Sequence, residues 1–242
     1  MRTSNKILGG TLLIILLILT AIHAALYAKY KQNNFVTLKH LHTERYDSYD
    51  LKGIQSVSIT GFQNVTVIPA DTARMEIEKS GTDKLRYEFS NGALVMKGDT
   101  LIMGNNNNPD RIRSYRNVIL YLPRTQVIKS ELCGLTIQGA KDSSTVSSLV
   151  LDLTDTELHL GNENRDDNST GNVFDKISVT KSKGGSIEIA GAVVAKELNL
   201  DIESSNFDDG SSAIGALSVH ADSSSVIKLS GKNIAKAKFT LK

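Results

Sequence analysis

The chain has 242 residues, no Trp and a single Cys, and its composition is poor in aromatics and rich in small polar residues. Its 28 basic and 26 acidic residues give a formal charge of +2, and without Arg2 and Lys6 the remainder is neutral with the signs interspersed. That balance lacks the electrostatic footprint of a nucleic-acid binder, and one cysteine excludes an internal disulfide framework.

Residues 1–30 predict a membrane anchor. Arg2 and Lys6 precede a run without formal charge from Ile7 to Tyr27, long enough as a helix to cross a ~30 Å hydrocarbon layer. Tyr27 and Tyr30 suit the interfacial aromatic belt, and His23 lies near the far end. A cleaved signal peptide is the alternative, but its apolar run is normally about 7–15 residues, and Ile22-His-Ala24 is a poor small-x-small site. Basic residues flank both ends: Arg2 and Lys6 on one side, Lys29, Lys31 and Lys39 on the other. They leave the orientation open, and the character of the remainder favours export. The expectation is a single-pass inner-membrane anchor with a periplasmic or surface domain. Gly9-Gly10-Thr11 is a weak signal for close helix–helix packing.

Residues 31–52 are polar, contain His40 and His42, show no sustained period, and read as a stalk. Strand-like alternation begins after it, so 53–242 is the expected β domain. Its first strands are Val57-Ser-Ile59, Val65-Thr-Val-Ile68 ahead of Pro69, Met75-Glu-Ile-Glu78, Leu85-Arg-Tyr-Glu-Phe89 and Leu94-Val-Met96. Asn91-Gly92 between the last two is a hairpin signal. Leu101 to Tyr115 reads as a loop around Asn105-Asn-Asn-Asn-Pro-Asp110, and Val118-Ile-Leu-Tyr-Leu122 is an apolar strand closed by Pro123.

From Val127 to Lys242 one pattern recurs about every 20 residues: a short alternating strand, a polar turn, and a second short strand. The copies are Leu149-Val-Leu-Asp-Leu153 with Glu157-Leu-His-Leu160, Ile177-Ser-Val179 with Ser186-Ile-Glu-Ile189, Leu198-Asn-Leu-Asp-Ile202, and Leu217-Ser-Val219 with Val226-Ile-Lys-Leu229. Ile128, Val150, Ile177, Leu198 and Leu217 are taken as equivalent, with a polar insertion at Gly161–Asn172. Each unit has one wet and one dry face and cannot close a core alone, so the units must stack. Glycines punctuate the turns, and Pro is absent after Pro123. The expected fold is all-β: a right-handed parallel β-helix of about 20-residue coils. An antiparallel β-sandwich is the competing architecture.

The order Gly61-Phe-Gln-Asn-Val65, a strand ending near Pro69-Ala-Asp71, Met75-Glu-Ile-Glu78, Asn91-Gly-Ala-Leu-Val95 and Val118-Ile-Leu-Tyr-Leu-Pro123, then repeating coils, resembles the autotransporter-adhesin head family (the GIN domain) common in the Bacteroidetes. The likeness runs from about Ile54 to Lys242. It implies a β-helix-like fold in an exported, envelope-associated protein, and it brings no catalytic residues.

No metal spacing joins His23, His40, His42, His159 and His220 to Cys or clustered carboxylates, and Cys133 reads as a small core or turn residue. Neither a nucleophile elbow nor a phosphate-cradling loop is present. Asp152 and Asp155 are similar to the acid–base carboxylates of β-helical polysaccharide-cleaving enzymes. Asp201, Glu203, Asp208 and Asp209 occupy equivalent wet positions, however, so a solvated face is the plainer reading. Asp166-Asp-Asn168 and Asp208-Asp-Gly210 carry oxygen ligands for Ca²⁺ without the spacing of calcium-binding β-rolls. Asn64-Val-Thr66 and Asn168-Ser-Thr170 are glycosylation acceptors only in a eukaryote. No catalytic, cofactor or metal residue is assigned. The expectation is a non-catalytic module for adhesion, ligand binding or scaffolding, with the membrane bound through residues 7–27 and a glycan or envelope protein as ligand. A carbohydrate-active enzyme is the alternative, and it requires acidic and basic side chains converging in a cleft on adjacent coils.

Overall fold

A computed structural model describes residues 3–31, 45–79, 85–98, 101–103, 110–112, 114–123, 125–140, 147–161 and 172–242. Two units separate by their internal contacts, Met1–Glu44 and Arg45–Lys242. In the first, helix α1 spans Thr3–Lys31. Gly9–Lys29 within it, of mean hydropathy 2.3, is long and apolar enough to cross a membrane, a test that a signal sequence also passes. Two of its polar side chains reach carbonyls of their own helix: Thr20 Oγ1 donates to the Leu17 carbonyl at 2.9 Å, and His23 Nδ1 lies 2.9 Å from the Leu19 carbonyl. Such local pairing is what lets a polar group sit in an apolar helix without an orphaned donor.

The second unit is almost entirely strand, arranged as a curled, half-barrel-like sheet with sixteen described strands. It opens with β1 (Tyr46–Asp50), β2 (Ser56–Thr60), β3 (Phe62–Pro69), β4 (Arg74–Glu78), β5 (Arg86–Ser90) and β6 (Ala93–Lys97). Asn91 and Gly92 have φ of 50° and 74° and turn β5 into antiparallel β6, the mirror-image geometry that the Asn-Gly pair favours. Tyr46–Asp50, inside the stretch read as a stalk, is a strand antiparallel to β4. The stretch read as a loop from Leu101 contains a small separate antiparallel pair, β7 (Leu101–Met103) against β8 (Asp110–Ile112). Then come β9 (Ser114–Leu122), β10 (Thr125–Glu131), β11 (Gly134–Ile137), β12 (Ser147–Leu160), β13 (Asn172–Ile189), β14 (Val193–Glu203), β15 (Asn206–Asp208), β16 (Ala213–Ala221), β17 (Val226–Lys228), the short helix α2 (Gly231–Ile234) and β18 (Ala237–Leu241).

Parallel pairing dominates, unlike an antiparallel sandwich. Among the described named strands of the main sheet, only β1–β4, β4–β9 and β5–β6 are antiparallel. The parallel run β6–β2–β10–β12–β13–β14–β16–β18 brings one inward column into register: Leu94, Val57, Ile128, Leu151, Val179, Leu200 and Val219, all buried. A second run beyond the bend aligns Val118, Val65, Leu135, Leu158, Ile187 and Phe207, again buried. The phase expected for the repeat is corrected at two positions: Val150 belongs to neither inward column, and Ile128 aligns with Val179 and Leu200 rather than with Ile177 and Leu198. Leu151, not Val150, pairs with Ile128, and Leu149, not Val150, pairs with Ile177. Val150 lies half-buried between two buried leucines, and since side chains alternate, a one-residue offset exchanges the dry face for the wet one.

The bends recur at one place. Gly61, Leu132, Asp155, Gly184 and Ser204 all adopt positive φ between the two strand runs. Glycine therefore serves only some of these corners; Asp and Ser reach the same left-handed conformation with help from short polar side chains. Gly185, with φ of 81°, is tighter still: a Cβ there would lie 2.2 Å from the Thr156 carbonyl oxygen. Buried hydroxyls line the inside of the corner. Thr156 Oγ1 donates to Ser130 Oγ at 3.2 Å, Ser182 and Ser205 hydroxyls lie 3.2 Å apart, and Ser205 Oγ reaches the Glu203 carbonyl at 2.9 Å. Carbonyls turned inward by the bend thus find donors without water. Cys133 is buried beside the same bend, its Sγ 3.1 Å from the Glu131 carbonyl oxygen.

Candidate functional site

The outward side chains of the strand run form two ladders. One passes Val95, Ser58, Lys129, Asp152 and Lys181; the other, two residues along, passes Lys97, Thr60, Glu131, Thr154 and Lys183. Where β2, β10 and β12 lie side by side these ladders line a groove of about 180 Å³, formed by Ser58, Thr60, Lys129, Glu131, Asp152 and Thr154 over Ile59 and Ser130. Its floor is the edge of the core and its wall a mixture of hydroxyls, one ammonium and two carboxylates.

A β-bulge sharpens one side. The β12–β13 register shifts after Leu151, and Thr180 Oγ1 donates to the Leu151 carbonyl at 3.1 Å, so that Lys181 comes opposite Asp152. Bulges of this kind re-aim side chains beside functional sites.

Charge pairing separates the groove from the rest of the wet face. In the later strands acid and base on neighbouring strands are joined: Lys176 to Glu197 at 2.8 Å, Lys196 to Asp175 at 2.7 Å and Lys228 to Asp208 at 2.6 Å; Lys242, just past β18, reaches across to Asp201. Hydrogen bonds from Lys176 and then Asn199 hold the Glu197 carboxyl below its ordinary range, and those from Lys228 and the Gly210 N–H do the same for Asp208. In and beside the groove, no ion pair joins Lys97, Lys129, Lys181, Glu131 or Asp152 to another described residue.

The carboxylates singled out in the sequence fall apart in space. Asp152 lines the groove, whereas Asp155 is the left-handed residue of the corner and is not among the lining residues. Asp201 pairs with Lys242, and Glu203 lies 3.8 Å from Lys183. Asp208 and Asp209 take structural roles near the last strands. Asp209 is buried and accepts from the Ser211 N–H (2.9 Å), the Ser230 N–H (2.8 Å), Ser230 Oγ (2.7 Å) and Asn233 Nδ2 (2.7 Å). Burial pushes its carboxyl up, but those donors together outweigh it and leave the group below its ordinary value. His159 Nδ1 lies 3.4 Å from Glu188, His220 is exposed on β16, and His23 belongs to α1. His40, His42, Asp166–Asn168, Asn168–Thr170 and the loop tip at Asn105–Pro109 lie outside the described residues. Among the described residues no group of three His, Cys, Asp or Glu could hold a metal ion.

Sequence reasoning named Asp152 and passed over Lys129 and Glu131. The signal for them was present in the alternation, since Val127-Ile-Lys129 aligns residue for residue with Val150-Leu-Asp152, but it required the correct inter-strand register to be seen.

No protein-family description matches the chain, and no curated protein matches it in sequence. Solved structures are similar in outline. A candidate lipid binding protein from Parabacteroides distasonis aligns over 81% of this chain and 76% of its own, with 12% identity and a TM-score of 0.43. A candidate cell adhesion protein from Clostridium sporogenes aligns over 76% and 72%, at 11% identity and a TM-score of 0.28. For a candidate adhesin from Parabacteroides merdae the values are 81%, 91%, 9% and 0.27. Scores this low carry no argument about ligand or activity.

Proposed function

We propose that the chain is a non-catalytic binding module of the cell envelope, tethered by its N-terminal helix and engaging a glycan or protein through the groove on β2, β10 and β12. The carrying observation is that hydroxyl, ammonium and carboxylate side chains from three adjacent strands line one groove without being paired to one another. A rigid sheet that presents such groups is pre-organised, so little ordering has to be supplied on binding. The domain in this reading is a right-handed parallel β-helix of the GIN type; in-register parallel pairing and the recurrent left-handed corners support it. Residues 1–30 are the anchor, a polar stalk follows and ends before Tyr46, and the β domain is exported.

The test is binding of the detergent-solubilised full chain to a glycan array and to envelope extracts. Glu131→Gln with Asp152→Asn should abolish the principal signal while leaving the far-ultraviolet circular dichroism unchanged. Retention of every ligand by that double variant would sink the groove as the site. Intact mass of the membrane-extracted protein checks the anchor: loss of the first residues would make the helix a signal peptide.

One observation favours a second reading. Lys129, Glu131 and Asp152 meet in one groove across adjacent strands, as a carbohydrate-active enzyme requires. The assay is release of reducing ends or unsaturated uronates from polysaccharides. Turnover lost in Lys129→Gln, Glu131→Gln and Asp152→Asn would displace the non-catalytic proposal.

A further inference from the structure

Resting on the reading of the groove as a ligand site, we infer that its ligand is a carboxylate-bearing polysaccharide laid across the strands, parallel to the direction in which they stack. Lysine placement points there. Lys97, Lys129 and Lys181 lie on β6, β10 and β13, each two strands from the next along the β6–β2–β10–β12–β13 order. At a strand spacing of about 4.8 Å, Lys129 and Lys181 on one ladder stand roughly 10 Å apart across the sheet, and Lys97 stands on the other ladder, two residues along. All three are exposed, and none is ion-paired to another described residue. In the later strands, lysines at 176, 196, 228 and 242 each sit against a carboxylate. Ammonium groups on either side of Asp152, with no ion pair among the described residues, complement a polymer that carries spaced carboxylates, and each Lys acts as a flexible point charge that needs no fixed fork geometry.

The acidic members of the groove decide between classes of polyanion. Glu131 and Asp152 are acceptors only, and they would repel a ligand offering nothing but negative charge. A polyuronate supplies hydroxyl donors between its carboxylates, so Glu131 and Asp152 can accept from sugar hydroxyls while the lysines meet the uronate groups. Ser58, Thr60 and Thr154 can both donate and accept. An acidic peptide presents carboxylates without those hydroxyls, which leaves Glu131 and Asp152 facing like charge. The bulge that brings Lys181 opposite Asp152 completes the alternation of base and acid across the groove.

The experiment immobilises the detergent-solubilised full chain and measures binding of polygalacturonate, of its fully methyl-esterified form, and of polyglutamate. Methyl esterification keeps the backbone and hydroxyls and removes the charge. Polygalacturonate should bind, with an affinity that falls as salt rises. The ester, and polygalacturonate on a Lys129→Gln/Lys181→Gln variant, should bind at least about tenfold more weakly. Lys228→Gln, which touches only a paired rung, should bind as the parent does. Equal binding of acid and ester, or full binding by the double-lysine variant, overturns the inference. If the ester binds as well as the acid and Glu131→Gln abolishes both, the groove reading stands and only the acidic ligand is lost. Polyglutamate binding as tightly as polygalacturonate overturns the glycan assignment in favour of an acidic protein. If none of the three binds, the inference falls, and with it the glycan half of the groove reading.

Discussion

The two ends of the outward face use one sequence pattern in opposite ways. On the later strands lysines 176, 183, 196, 228 and 242 each lie within ion-pair distance of a carboxylate. On β6, β2, β10 and β12 the same alternation leaves Lys97, Lys129, Glu131 and Asp152 with no ion pair to another described residue. The inward columns do not differ, since buried Val, Leu and Ile run through both regions in register. Stability is therefore common property of the sheet, and the capacity to bind is local. Exposed ion pairs stabilise little, so the later region loses hardly anything by pairing its charges, and the earlier one loses hardly anything by leaving them open.

If that division is right, the largest effects come from the shared interior and are alike in both regions. Leu151→Ala beneath the groove and Phe207→Ala among the later strands should each lower the unfolding free energy by about 3–5 kcal/mol, read by urea denaturation. A much smaller loss at Leu151 would mean that the groove strands are loosely packed, and that their open charges reflect disorder rather than design. Next is Asp209→Ala, which strands the half-buried Ser230 and the buried Asn233 donors and should cost about 3 kcal/mol. The parent should respond to acid in the same place. Because the Asp209 carboxyl titrates below its ordinary value in the folded protein, its contribution is complete above the unfolded-state pKa and is lost as pH falls through the lower folded-state one. Acid unfolding followed by circular dichroism should show the parent losing stability across that acidic window and Asp209→Ala losing less. Parallel curves would remove Asp209 from the account. Gly185→Ala, forced to a φ of 81° with its Cβ against the Thr156 carbonyl, should cost about 2–3 kcal/mol.

How far these features were legible follows from which of them are local. Alternation and the Asn91-Gly92 turn are local, and they placed β2, β4, β5, β6 and β9 closely. The repeat was legible because Ile177, Leu198 and Leu217 recur at steps of 21 and 19 residues, and those three do pair in register. The phase failed at Val150 because Leu149, Val150 and Leu151 are all apolar; only the partner strand determines which of three adjacent hydrophobes face inward. β1 was not legible, since Tyr46-Asp-Ser-Tyr-Asp50 has no apolar alternation and becomes a strand through pairing with β4. Corner residues were half legible. Gly184-Gly185 announces a left-handed turn, whereas Leu132 enters that conformation under tertiary constraint that no propensity signals. As for the site, a carboxylate search found Asp152 but joined it to Asp155, three positions on, when its working neighbours Lys129 and Glu131 come from another strand.

The smallest stability change distinguishes the two ends most sharply. Lys176→Gln breaks the contact that holds Glu197 in its lowered state, yet both groups are well exposed, and the denaturation midpoint should move little and move less in high salt. Lys129→Gln removes a charge that no described partner neutralises, so it too should leave the midpoint in place. The two variants part only when ligand is added: Lys176→Gln should keep the thermal shift that a saturating glycan produces, and Lys129→Gln should lose most of it. A stability loss in Lys129→Gln as large as that at a core position would give Lys129 a structural role. The contrast between a closed and an open face would then collapse, because the lysine would be engaged by the protein itself.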